Sequence, residues 1–102
     1  MNDVKLLIGG KVVQARSAAT FERRNPVSGA VVTRSAAAAE ADAIAAVDAA
    51  AAAFPAWSAL GPGARRAKLN QAADLLETRA ADFAAIVRDE TGATAEIGRA
   101  HV

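Results

Sequence analysis

Alanine crowds the middle of this chain. Of the eighteen residues from Ala36 to Ala53, thirteen are alanine. The run Ala49–Ala53 has high helix propensity. Its small side chains let another helix or a sheet approach closely. They bury little surface, and the same shortage runs through the whole sequence. Hydrophobic residues are 53%, yet alanine supplies 30 of the 102 positions, and Leu, Ile, Val and Phe together supply 22. Fully burying a large apolar side chain yields roughly 1.5–3 kcal/mol. Fixing each backbone residue costs roughly 1–2 kcal/mol. The chain is therefore at most one small domain, and it is short of core for its length.

Composition excludes several function classes. There is no Cys, so no disulfide framework, thiol nucleophile or cysteine metal site is present. A single His, His101, cannot build a multi-histidine site. Tyr is absent and aromatics are 4%, which argues against a base-stacking surface. With a net charge of +1 and no basic block, no nucleic-acid partner is expected. No apolar run approaches the ~20 residues that span a bilayer, so no membrane partner is expected. Met1-Asn2-Asp3-Val4-Lys5 lacks the basic and apolar regions of a signal peptide, and a cytoplasmic location is the expectation. Nine Arg against three Lys, with so much Ala, points to a GC-rich coding sequence.

Residues 4–15 read as a short hairpin. Leu6-Leu7-Ile8 and Val12-Val13 flank Gly9-Gly10, a pair suited to a two-residue primed turn. Phe21-Glu22-Arg23-Arg24 then runs into Asn25-Pro26-Val27-Ser28-Gly29. Pro26 presets φ, Gly29 can take φ > 0, and Asn25 can brace the turn through its side chain. Ala30-Val31-Val32-Thr33-Arg34 returns as a strand.

From about Ala39 the period becomes helical. Ile44, Val47, Ala51 and Phe54 form one stripe. Glu40 and Asp42 favour the positive end of the helix dipole, but Ala39 has no side-chain acceptor to cap it. Pro55 is expected to end the helix or force a new turn. Phe54 and Trp57 are expected to anchor that terminus in a core. Gly61-Pro62 opens a second helical stretch with proline at the favoured first position. Leu69, Ala72, Ala73, Leu76, Ala80, Phe83, Ile86 and Val87 extend one amphipathic stripe along it, and Thr91-Gly92 supplies a stop. Asp74 and Glu77 lie in a mixed-sign charged face, not in a paired-carboxylate site. The fold class is α/β: N-terminal β-hairpins followed by two or three α-helices.

Taken in order, these strings resemble the N-terminal end of an aldehyde dehydrogenase. They are Ile8-Gly9-Gly10-Lys11, Phe21 through Asn25-Pro26-Val27-Ser28-Gly29, Ala53-Phe54-Pro55-Ala56-Trp57, Arg65 to Leu69, Ala73-Asp74-Leu75-Leu76-Glu77 and Glu90-Thr91-Gly92. Each is weak alone; their order and spacing together are specific. The likeness covers about residues 4–95. Glu90-Thr91-Gly92-Ala93-Thr94 is similar to the branch that includes salicylaldehyde and vanillin dehydrogenases, whereas many other branches carry Lys where Ala93 stands. At Gly61-Pro62-Gly63 the chain departs from relatives, which more often have a better cap and an acidic first turn.

The resemblance implies an incomplete part of a Rossmann-like cofactor-binding domain, from a homo-oligomeric enzyme that oxidises a small-molecule aldehyde to a carboxylic acid with NAD or NADP. In that family a cysteine thiolate attacks the carbonyl. Hydride passes to the nicotinamide, and a Glu-activated water hydrolyses the thioester. An amide side chain and a backbone N–H stabilise the oxyanion. Those residues lie downstream of the matching region, so no catalytic or cofactor-binding residue is assigned here, and the 102 residues alone are expected to bind no NAD and to be inactive. One assignment carries over. Many members hold a monovalent cation near the backbone before the Asn-Pro turn and the acidic residue before the Thr-Gly stop. Here these are Arg24, through its carbonyl, and Glu90; Arg24 is an unusual residue for that place.

The likeness stops after Ala95. Residues 96–102, Glu96-Ile97-Gly98-Arg99-Ala100-His101-Val102, are what GAG ATC GGA AGA GCA CAC GTC encodes. This is a common sequencing adapter in frame, and its next triplet, TGA, is a stop. The expected organisation is thus 4–95 as the native segment and 96–102 as a non-native tail, with His101 carrying no function. Two other readings stay open: a standalone small helical interaction module, or a structural protein without catalytic lineage. Resequencing genomic DNA across codon 95 is expected to show the reading frame continuing into different codons; a genuine stop after codon 102 would overturn the adapter assignment.

Overall fold

The computed structural model describes residues 1–94 and 96. The boundary expected at Ala95 and the tail beyond Glu96, His101 included, lie outside the described residues. Strands β1 (Asn2–Val4), β2 (Leu6–Ile8), β3 (Lys11–Val13), β4 (Thr20–Arg24) and β5 (Val31–Ala36) precede helices α1 (Glu40–Ala59), α2 (Pro62–Thr78) and α3 (Ala80–Thr91). The chain forms two compact units. One comprises Met1–Arg23 and Thr33–Leu60; the other comprises Arg24–Val32 and the chain from Gly61 on.

In the first unit β2 and β3 pair antiparallel, Leu6 with Val13, Leu7 with Val12 and Ile8 with Lys11. Gly9 and Gly10 both have positive φ, +60° and +75°, as the expected primed turn requires. Leu6, Ile8 and Val13 are half-buried while Leu7 and Val12 are exposed, so one hairpin face turns inward. A three-stranded sheet in the order β1-β5-β4 stands beside this hairpin in the sequence. The second β unit is therefore more than the two strands expected. β1 runs parallel to β5, with Asn2 opposite Thr33 and Val4 opposite Ser35. Asn2 Nδ2 donates to Thr33 Oγ1 at 3.4 Å, and Thr33, on the central strand, is 2% exposed. Three polar-leaning residues at the start of the chain carry no alternation of their own, and only the distant β5 makes them a strand.

α1 starts where expected, but its cap is built differently. Ala39 supplies no acceptor; instead Asp42, in the first turn, reaches back. Its Oδ2 accepts from the Ala39 N–H at 3.0 Å, the reciprocal half of a capping box. Its Oδ1 accepts from the Arg16 N–H at 3.1 Å, tying the β3–β4 connector to the helix start. Asp42 is 4% exposed, as buried as Ala15.

Two expectations about the end of α1 do not hold. Pro55 lies inside the helix, which continues to Ala59. Proline removes one hydrogen bond, that to the Ala51 carbonyl, and Ala51 and Pro55 are both exposed, so water can solvate the freed oxygen. Ser58 Oγ donates to the Pro55 carbonyl at 3.0 Å. The aromatics do not enter a core either: Phe54 and Trp57 are exposed, and Ala15 is the buried apolar residue of the described chain. The buried set of the described residues, Ala15, Thr33 and Asp42, forms no apolar cluster to receive them.

In the second unit Pro62 opens α2 at its first position, after Gly61 as cap. The long stripe expected from Leu69 to Val87 is divided. Arg79, at φ −109° and ψ 15°, ends α2 and precedes α3. Thr78 Oγ1 donates to the Leu75 carbonyl at 2.7 Å, occupying an acceptor of the last turn. Asp82 then sits in the first turn of α3, 3.5 Å from Arg79.

Both hydrogen bonds hold the Asp42 carboxyl below its ordinary value of 3.8; the bond from Ala39 is the larger cause, then that from Arg16. A lowered folded pKa means stability that is present above 3.8 and lost as pH falls below it through the folded value. In a longer folded chain that contains residues 4–95, Asp42→Asn is expected to lower the urea midpoint at neutral pH, with the gap to the parent closing in acid. A gap that stays constant with pH would contradict this role.

Candidate functional site

The second unit brings the two residues of the expected cation site onto neighbouring segments. Asn25 closes the turn after β4: its N–H donates to the Ala30 carbonyl and its carbonyl accepts from the Gly29 N–H, both at 2.8 Å. Asn25 Oδ1 accepts from the N–H groups of Val27 at 2.8 Å and Ser28 at 3.2 Å. This is the side-chain brace expected from Asn-Pro-Val-Ser-Gly. Gly29 takes φ +74°.

α3 ends on Gly92, whose φ is +72° and whose N–H donates to the Arg88 carbonyl at 2.9 Å. A Cβ placed on Gly92 would lie 3.0 Å from Pro26 Cγ and 3.4 Å from Val27 Cγ2. The turn and the helix stop are thus in contact; the positive φ favours glycine there, and a Cβ would press on Pro26.

Arg24 is the last residue of β4 and Glu90 lies in the last turn of α3. Arg24 Nη1 donates to the Gly29 carbonyl at 3.1 Å, so its guanidinium folds over its own turn. Glu90 is half-buried at the negative end of the helix dipole. A carboxylate and a main-chain carbonyl are oxygen donors of the kind a hard cation takes. Their number falls short of the roughly six oxygens such an ion gathers. Among the described residues no three His, Cys, Asp or Glu side chains come together as a metal site.

The first unit offers an open groove between the hairpin tip and α1, lined by Leu7, Ile8, Ala46, Ala49, Ala50 and Ala53. Another, beside it, carries Lys11, Arg16 and Asp42 over Ile8, Val13 and Ala45. The buried role of Asp42 was missed by the sequence reading, which placed it only as a dipole partner. The spacing Ala39–Asp42 was the available signal: an acid at the third helical position can reach back to the cap N–H. Among the described residues no helix is long and apolar enough to cross a membrane.

The model of the aldehyde dehydrogenase family matches residues 12–102. A vanillin dehydrogenase of Pseudomonas sp. (strain HR199 / DSM 7063) is 58% identical over 93 residues, which are 91% of this chain and 19% of that protein. The crystal structure of a salicylaldehyde dehydrogenase from Pseudomonas putida G7, complexed with salicylaldehyde, superposes with a TM-score of 0.93 at 37% identity, over 97% of this chain and 20% of that one. That of PnpE in complex with nicotinamide adenine dinucleotide gives 0.90 at 38% identity, over 97% and 20%. The chain spans about a fifth of the length of the relatives it matches.

Gly92→Ala is expected to destabilise the folded protein by about 1–2 kcal/mol, through the left-handed φ alone, and by more if Pro26 cannot yield. Urea midpoints of the two proteins, each measured in a longer chain that contains residues 4–95, check it. Asn25→Ala, which removes the brace but not the contact, provides the comparison.

Proposed function

The chain belongs to the aldehyde dehydrogenase family, and from that premise we propose that it is the first segment of an enzyme that oxidises an aromatic aldehyde to its carboxylic acid with NAD or NADP. The 58% identity to a vanillin dehydrogenase carries this reading, supported by the likeness to a salicylaldehyde dehydrogenase structure. On this reading the segment is part of a Rossmann-like cofactor-binding domain of a homo-oligomeric, cytoplasmic enzyme.

Oxidising an aldehyde this way needs a nucleophile that becomes a thioester, an acceptor for hydride and a base that activates water. The chain has no Cys, so the thiolate has to come from outside these 102 residues. What these residues supply is scaffold. Asp42 fixes the start of α1, the Gly9-Gly10 hairpin packs on its alanine side, and the Asn25 turn packs on the stop of α3. The Arg24 carbonyl and Glu90 hold a monovalent cation only with further oxygens from the rest of a longer chain.

The purified 102-residue chain is expected to show no NAD(P)-dependent turnover of vanillin or salicylaldehyde and to be molten or aggregating, while a longer gene product containing residues 4–95 oxidises them. Turnover by the short chain, or a longer product without aldehyde oxidation, would overturn the proposal. Cooperative unfolding of a well-ordered 102-residue monomer would favour a standalone module instead.

A further inference from the structure

Between the β2–β3 hairpin, the connector after it and α1 lies a groove with an apolar floor and a charged rim. The hairpin meets the alanine side of α1, where a Cβ on Gly9 would stand 3.7 Å from Ala49 Cβ. Beside that contact the groove opens over about 290 Å³, just under the roughly 300–1,000 Å³ of sites for drug-sized ligands. Its floor is Ile8, Val13 and Ala45; Lys11, Gln14 and Arg16 also line it and are exposed. Lys11 pairs with Ile8 across the hairpin, and the two-residue period puts its side chain on the face of Ile8 and Val13. Among the described residues no carboxylate lies within ion-pair distance of Lys11. Asp42, the acid in the lining, is 4% exposed and accepts from the N–H groups of Ala39 and Arg16. Arg16 is the cation set against that carboxylate, so the positive charge of Lys11 stands uncompensated.

We propose that this groove binds a small aromatic carboxylate, its carboxyl group against Lys11 and its ring over Ile8, Val13 and Ala45. Both halves of the ligand follow from the lining. An ammonium takes a carboxylate in a charge-assisted hydrogen bond. Inorganic phosphate would satisfy the charge and leave the floor wet; a neutral ring would do the reverse. A nucleic acid or an acidic peptide needs a row of cations, which two side chains do not make. The volume suits a single-ring acid rather than a larger cofactor. A ligand of that size in an open groove binds at roughly millimolar strength. The acid that the proposed reaction would release belongs to this class. The choice of an aromatic body rests on that reading; the groove, its charge and its floor do not.

The test uses the longer gene product that contains residues 4–95, with benzoate as the probe. Its lysines are acetylated with a water-soluble reagent, and the extent at each is read by mass spectrometry. Lys5 and Lys68 line no part of the groove and serve as internal standards. With roughly 10 mM benzoate, acetylation of Lys11 is expected to slow at least about threefold, and that of Lys5 and Lys68 by less than about 1.5-fold. Acetate, the anion without the ring, and benzyl alcohol, the ring without the anion, are expected to leave Lys11 unprotected. Ala45→Glu sets a like charge on the floor with a good helix former and is expected to abolish the benzoate effect. No protection, equal protection of the three lysines, equal protection by acetate, or protection that survives Ala45→Glu would overturn the proposal. If that variant fails to fold, the comparison of probes on the parent still decides. Loss of aldehyde oxidation in the longer product would strike the enzyme reading alone and leave these readouts in force.

Discussion

A single carboxylate organises the first unit. The buried set of the described residues contains Ala15, Thr33 and Asp42, so the interior is as much polar as apolar. Asp42 accepts one N–H from the connector at Arg16 and one from the helix start at Ala39. Charge-assisted bonds of this kind are stronger than neutral ones, and they are directional where alanine packing is not. Without them the hairpin would meet α1 through Ile8, Gly9 and the helix alanines, contacts that carry no direction. The carboxylate therefore sets the position that a larger core would otherwise set by volume.

The second unit solves the same shortage differently. It uses glycine to let main chain approach main chain. The Asn25 turn is rigid because its side chain satisfies two N–H groups within it, and it meets α3 at the one residue without a Cβ. Neither unit depends on a large apolar cluster. This matches a segment whose big side chains, Ile44, Val47, Phe54, Leu69 and Phe83 among them, are exposed in the described chain.

Features whose causes are local were legible in the sequence. Gly9-Gly10, Asn25-Pro26 and Thr91-Gly92 announce their turns because the φ each needs is written in the residue itself. β1 was not legible, because its strand character comes from Thr33 and Ser35 thirty residues away. The end of α1 was misjudged because proline was weighed without its solvent: exposure at Ala51 makes the missing bond cheap. The inward side of α1 was hidden for a related reason. The conspicuous stripe marks the side with the largest residues, and the hairpin packs against the smallest. As for the site, Arg24 and Glu90 could be paired only through a family resemblance. Nothing in their spacing pairs them; the Gly92–Pro26 contact joins only the segments that carry them.

The two-sided character of α1 also orders events in time. Its alanine side is covered by residues 6–13, which leave the ribosome before the helix does. That contact can close as soon as α1 is made. The side bearing Ile44, Val47 and Phe54 meets no such partner among the described residues and stays in water. One element thus carries a side that is covered early by chain made before it and a side that stays wet.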